Sequence, residues 1–178
     1  QYPYFQDHSQ ETFDMVLDAA TEVAEKILQP MYVESDRKQP ELVNGTVAVH
    51  PGIGKYLEAV GPTGLMAAPF KYEFGGQQLP ELVDSVKGFI LGSAHNSAVM
   101  FTGLTSGSVH LIMSFGSQEL IDTYVEKMIN CEWTGTMCLT EPQAGSALAD
   151  VQTMAYPQPD GSYKIKGQKV FISAGEHD

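Results

Sequence analysis

Basic residues are scarce in this chain: 10 lysines and arginines stand against 22 acidic residues, for a formal net charge of -12. Recognition of nucleic-acid phosphates draws on clustered Lys and Arg, so so acidic a chain with dispersed cations argues against that role. Cysteine is rarer still. Cys131 and Cys138 form no CxxC pair, and two cysteines without a basic-then-apolar leader fit a reducing compartment, so a cytoplasmic location is expected rather than a secreted disulfide scaffold. The histidines His8, His50, His95, His110 and His177 show no HExxH or paired ligand spacing, and no metal is expected. No G-x-G-x-x-G follows a strand-like run and no G-x-x-x-x-G-K occurs, which leaves a Rossmann site and a P-loop unsupported. No uninterrupted apolar run approaches the roughly 20 residues that cross a bilayer, so no membrane span is expected.

What is present suits a packed core. The 178 residues are 43% hydrophobic and 18% charged, enough for one ordinary domain or two small ones. Phe13, Val16, Leu17, Ala20, Val23, Ala24, Ile27 and Leu28 recur at helical spacing, with Ser9 as N-cap, Glu11 in the first turn and Pro30 limiting continuation. Residues 34 to 50 lack periodicity and read as a loop, with a short hairpin at Asn44-Gly45. Pro51 opens a short helix through Val60, which Gly61-Pro62 stops.

After the glycine-rich turn Glu73 to Pro80, Leu82, Val83, Val86, Phe89, Ile90 and Ser93 share one helical face. A second helix is expected from about Ser97 to Ser114, apolar enough to be nearly surrounded by protein at the centre of a bundle. Ser117 caps a last helix with Leu120, Ile121, Tyr124, Val125 and Met128 on its inner stripe. From Trp133 the period becomes that of strands, and Asp160-Gly161 and Lys166-Gly167 are turn signals flanking Ser162 to Ile165. The expected fold class is therefore α+β: an all-α helical bundle over about residues 1 to 130, then the first strands of an antiparallel domain over 131 to 178. So few strands leave pairing edges unsatisfied, which suggests a piece of a larger protein.

The stretch with most chemical content is Cys138-Leu139-Thr140-Glu141-Pro142-Gln143-Ala144-Gly145-Ser146. Met137, Cys138 and Leu139 read as a buried strand that Pro142 ends, and Gly145 lets backbone approach a ligand closely. Such a turn suits a flat, polar-edged ring or an anion.

These nine residues resemble the flavin-binding signature of the acyl-CoA dehydrogenases. The similarity continues through Glu73 to Pro80, through Thr153 and Ala155 in the family's Thr-x-Ala, and through Ile165-Lys166-Gly167-Gln168-Lys169-Val170-Phe171-Ile172-Ser173. It covers nearly the whole chain, while the family's further β segment and C-terminal helical domain have no counterpart here. The resemblance implies an antiparallel β-barrel-like central domain, FAD as cofactor, and α,β-desaturation of an acyl-CoA thioester within fatty acid metabolism. It also implies electron-transfer flavoprotein as reoxidant and a homo-oligomeric state, dimer or tetramer.

By resemblance, Met137, Leu139, Thr140, Gly145, Ser146, Phe171 and Ser173 contact the cofactor. Within that set Thr140 supplies a hydroxyl to the flavin edge, Ser146 also meets the CoA portion of the substrate, Phe171 packs on the ring, and Ser173 bonds near its reacting nitrogen. No catalytic residue is expected in this chain, because the family's base is a glutamate of the C-terminal domain. Glu141 is expected to be structural, bonding backbone donors of its turn, and residues 1 to 178 alone are expected not to turn over. Three positions depart from the pattern: Ala147 replaces the usual Asp, Met137 a frequent aromatic and Phe171 a common Trp, with Asp150 near enough in sequence to compensate for Ala147. Two other readings compete: a flavin oxidase of acyl-CoA or nitroalkane type, and a non-catalytic module of the same fold that has lost FAD.

Overall fold

A computed structural model describes residues 2–177. Helix α1 (Gln10–Val23) starts where expected: the Ser9 hydroxyl accepts the Thr12 N–H at 3.2 Å while Thr12 Oγ1 accepts the Ser9 N–H at 3.4 Å. The chain does not stop at Pro30. One turn of wider π geometry, Ala24–Leu28, in which the Gln29 N–H reaches back to the Ala24 carbonyl, leads directly into α2 (Gln29–Arg37). Pro30 falls in the first turn of α2, where a missing donor is tolerated, so the widened turn absorbs the proline that would otherwise break the helix.

Strands β1 (Glu41–Val43) and β2 (Thr46–Ala48) form the hairpin at Asn44-Gly45, both turn residues having positive φ (53° and 88°) as a tight two-residue turn requires. The expected loop thus shrinks to its hairpin and flanks, because α2 occupies its first residues. Helix α3 (Gly52–Val60) has Pro51 and Gly61 at its ends.

Helix α4 (Glu81–Phe115) joins the two expected helices into one, with a kink at His95 (φ -162°, ψ 85°). It packs against α1, α2, α3 and then α5 (Gln118–Ile129), whose first turn Ser117 caps. Its central place is as expected, but its surroundings are not. The buried stripe is Lys87, Leu91, His95, Ala98, Thr102, Thr105 and Val109, whereas Leu82, Val86, Phe89, Met100, Leu111 and Phe115 face outward. Of the residues expected to share one face, Leu82, Val86 and Phe89 are therefore on the outside. By length and composition alone α4 could cross a membrane, although no strictly apolar run of that length is present, because Ser, Thr, Gly, Asn and His interrupt it.

Two groups of buried side chains make the core. Ala20, Leu28, Ile53, Tyr56 and Val60 centre one, and Met66, Phe70, Val109, Val125 and Ile129 the other, with Cys131 touching both. Beyond α5 the packing thins. Strands β3 (Met154–Pro157) and β4 (Tyr163–Lys166) pair antiparallel around Asp160-Gly161, and every residue in them is exposed.

Candidate cofactor site

Residues 134 to 140 run extended but pair with no strand, and the expected buried strand at Met137 to Leu139 is exposed, Met137 by 59%. The reason lies in what they pack against: among the described residues no second layer covers them. Their partner is the segment 170 to 177. The Thr134 hydroxyl meets His177 Nε2 at 2.9 Å, Thr136 Oγ1 donates to the Ser173 carbonyl at 2.5 Å, and the Val170 N–H donates to the Thr140 carbonyl at 3.0 Å. Partner numbers fall as the others rise, so the two segments run antiparallel. This ribbon brings Met137, Leu139, Thr140, Phe171 and Ser173 together.

Glu141 is the ribbon's fastener. Its main chain bonds reciprocally with Ala144, each N–H to the other's carbonyl at 3.0 Å, which closes the turn that Pro142 begins. Its carboxylate, almost wholly buried, accepts the Gln152 N–H at 2.8 Å, the Thr153 N–H at 2.9 Å, the Gln143 side-chain amide at 2.6 Å and the Lys169 ammonium at 2.8 Å. Lys169, then Thr153 and the Gln152 amide, hold this carboxyl well below the usual carboxylate range. A group so saturated and so acidic is unsuited to proton abstraction at neutral pH. Glu141 therefore bonds backbone donors from a distant segment rather than those of its own turn. Lys169 also donates to the Leu139 carbonyl at 2.9 Å, so one ammonium ties both edges of the ribbon. The roles of Lys169, Gln143 and Gln152 were not visible in the sequence, because their common partner is up to 28 positions away; only the presence of Lys169 inside the second motif hinted at one.

The other site residues are open. Gly145 and Ser146 follow the turn on the surface, and a Cβ on Gly145 would meet nothing within 4 Å. Among the described residues the hydroxyls of Thr140, Ser146 and Ser173 have no protein partner, which leaves three donors along one ribbon and turn. Phe171 is 91% exposed and sits at φ 56°, a conformation costly for a bulky side chain and usually retained for function. A flat aromatic surface beside free hydroxyl donors fits a planar ring with polar edges. Asp150 does not replace the carboxylate missing at Ala147: its hydrogen bonds, from its own N–H to the Ala147 carbonyl and from Gln143 to its carbonyl, are main-chain ones.

A helical bundle that hands its chain to antiparallel β segments is a fold this chain shares with solved acyl-CoA dehydrogenases. The family model described as "Acyl-CoA dehydrogenase, N-terminal domain" matches residues 10–132, and the chain belongs to the acyl-CoA dehydrogenase family. A 3-methylmercaptopropionyl-CoA dehydrogenase from Ruegeria pomeroyi is 36% identical over 153 residues, covering 86% of this chain and 26% of that protein. Among solved structures, the butyryl-CoA dehydrogenase from Megasphaera elsdenii has a TM-score of 0.77 at 23% identity, over 94% of this chain and 42% of the other. An acyl-CoA dehydrogenase complexed with FAD from Bacillus anthracis has a TM-score of 0.74 at 22% identity, over 94% and 27%. The chain thus spans about a quarter of the length of its first curated relative.

Proposed function

We propose that these 178 residues supply the helical N-terminal domain, about 1 to 130, and the leading part of the FAD-binding β domain, about 131 to 178, of an acyl-CoA dehydrogenase. The reaction is α,β-desaturation of an acyl-CoA thioester. The single observation that carries this reading is the antiparallel ribbon, which sets Met137 to Thr140 beside Phe171 to Ser173 with hydroxyls free and an aromatic face open.

When bound, FAD supplies the hydride acceptor. Leu139 and Thr140 would hold its ring edge, where the Thr140 O–H would stabilise negative charge as it develops. Phe171 would cover a ring face, Ser173 would donate towards the ring, and Gly145 and Ser146 would form the turn that meets the cofactor, with Ser146 also meeting the CoA portion of the substrate. Glu141, committed to four donors, is not the α-proton base; the family resemblance implies that a glutamate of a C-terminal domain fills that role. The same reading takes electron-transfer flavoprotein as reoxidant and a homo-oligomer as the assembly, with family membership as its support.

The test is the visible spectrum of the natural-length protein, taken anaerobically before and after addition of a panel of acyl-CoA thioesters. Flavin absorbance that bleaches with a thioester is expected. A protein that stays colourless after FAD addition defeats the proposal, and rapid peroxide formation on re-aeration would redirect it to an oxidase.

A further inference from the structure

The polar members of the buried α4 stripe each fasten a different neighbour. Lys87 donates to the Leu65 carbonyl at 2.7 Å, His95 meets Ser35 at 2.7 Å, and Thr102 meets the Tyr56 hydroxyl at 2.9 Å. The fourth, Thr105, fastens the chain beyond α5. Its hydroxyl donates to the Phe101 carbonyl at 2.6 Å, as helix threonines often do, and with its remaining lone pair accepts the Gly135 N–H at 3.0 Å. Gly135 lies directly before the Thr136 to Thr140 edge of the ribbon.

The contact is tight as well as hydrogen-bonded. Thr105 is 1% exposed, and a Cβ added at Gly135 would lie 2.3 Å from Ser108 Oγ and 2.9 Å from Met128 Cε. Glycine is needed there for space, not for φ, because only without a side chain can the backbone come down onto α4 and α5. Upstream the chain stays on α5 as far as Trp133, whose N–H donates to the Lys127 carbonyl at 3.2 Å; downstream the edge meets Lys169 and the 170 to 177 segment. Gly135 is thus where the 134 to 140 edge of the ribbon is hydrogen-bonded to the helical core, while the other segment reaches α4 through the His177 ring set edge-on to Phe101, centroids 5.1 Å apart.

We infer that Thr105 is a positioning residue for the cofactor ribbon: its hydroxyl, by accepting the Gly135 N–H, fixes where Met137 to Thr140 sit relative to α4. This rests on the proposed function for its consequence at the flavin, though not for the contact itself. Loss of the acceptor leaves a part-buried N–H unpaired and frees the ribbon to lift from the helix.

The test uses the natural-length protein with Thr105→Val, which keeps shape and removes the acceptor, and Thr105→Ser, which keeps it. Amide exchange followed by NMR should accelerate roughly tenfold at Gly135 and Val170 in the valine variant, with core amides of α1 and α3 unchanged and the serine variant like wild type. In the same variant FAD binds roughly tenfold more weakly. Unaltered exchange at Gly135 and Val170, or equal acceleration throughout the core, would overturn the inference. If the valine variant does not fold, Gly135→Ala takes its place and must loosen the same two amides. A wild-type protein that binds no FAD defeats the proposed function, while the exchange data still decide the role of Thr105.

Discussion

In the helical bundle Ala20, Leu28, Tyr56 and Val60 lose essentially all contact with solvent, whereas β3, β4 and the segment from Thr136 to Leu139 remain largely open. The bundle is held by apolar burial, with its few interior polar groups individually paired. The ribbon has almost no apolar interior and takes its order from directed bonds: those converging on Glu141, those linking 134–140 to 170–177, and the Thr105 to Gly135 contact. The difference separates stability from function. Stability should respond to changes in the bundle, and cofactor retention to changes in the ribbon that hardly touch stability.

The largest effect should come from Leu28→Ala. Leu28 is 0% exposed at the π-turn, where α1 passes into α2 and packs on α3 and α4. Truncation removes transfer energy and leaves a cavity, and the expected loss is about 2–5 kcal/mol in urea unfolding of the natural-length protein. A loss below about 1 kcal/mol would mean that the bundle is not the principal source of stability.

A smaller effect, with a pH signature, should come from His95. At the α4 kink its extended backbone and its Nδ1, which accepts the Ala98 N–H at 3.3 Å, make it an internal N-cap for the second half of the helix. With Nδ1 accepting, Nε2 carries the proton and donates to Ser35, so the buried ring is neutral and Ser35 is not an activated nucleophile. Burial, with the nearby His50 adding to it, pushes the His95 pKa below its ordinary 6.5, while Asp36 opposes weakly and Tyr32 offers only its ring edge. The unfolded state therefore takes up a proton first as pH falls. Stability from this group is fully present above pH 6.5 and declines as pH drops towards the lowered value. His95→Ala should cost about 0.5–2 kcal/mol through the lost cap. His95→Asn, which can still cap, should retain most of that and flatten this part of the pH dependence.

How much of this could be read from the sequence follows the same division. Helix starts at Ser9, Pro51 and Ser117 and the hairpin at Asn44-Gly45 are governed by local chemistry, and all four are legible. The continuation through Pro30 was not, because it depends on a π-turn that no residue type announces. Nor was the inward face of α4. Lys87, His95, Thr102 and Thr105 look like surface residues until Leu65, Ser35, Tyr56 and Gly135 are known to sit opposite them. For the ribbon, the Cys138 to Ser146 motif located the turn and its acidic residue, while Lys169, 28 positions further on, became a partner only through the fold.

The smallest expected change in stability tests the other half of the division. Phe171 is 91% exposed and stands at positive φ, so Phe171→Ala removes little buried area and leaves the backbone conformation much as it was. Surface substitutions of this kind usually stay within about 0.5 kcal/mol. If the ribbon is a cofactor surface, the same substitution should weaken FAD binding by about tenfold, because an aromatic face covering a ring contributes roughly 0.5–1.5 kcal/mol beyond area burial. Denaturant unfolding of the apoprotein and FAD titration of the natural-length protein read the two quantities separately. A variant equally stable and equally avid for FAD would remove Phe171 from the site. One destabilised by more than about 1 kcal/mol would show that the aromatic is a structural element and that ribbon and bundle are not separable in this way.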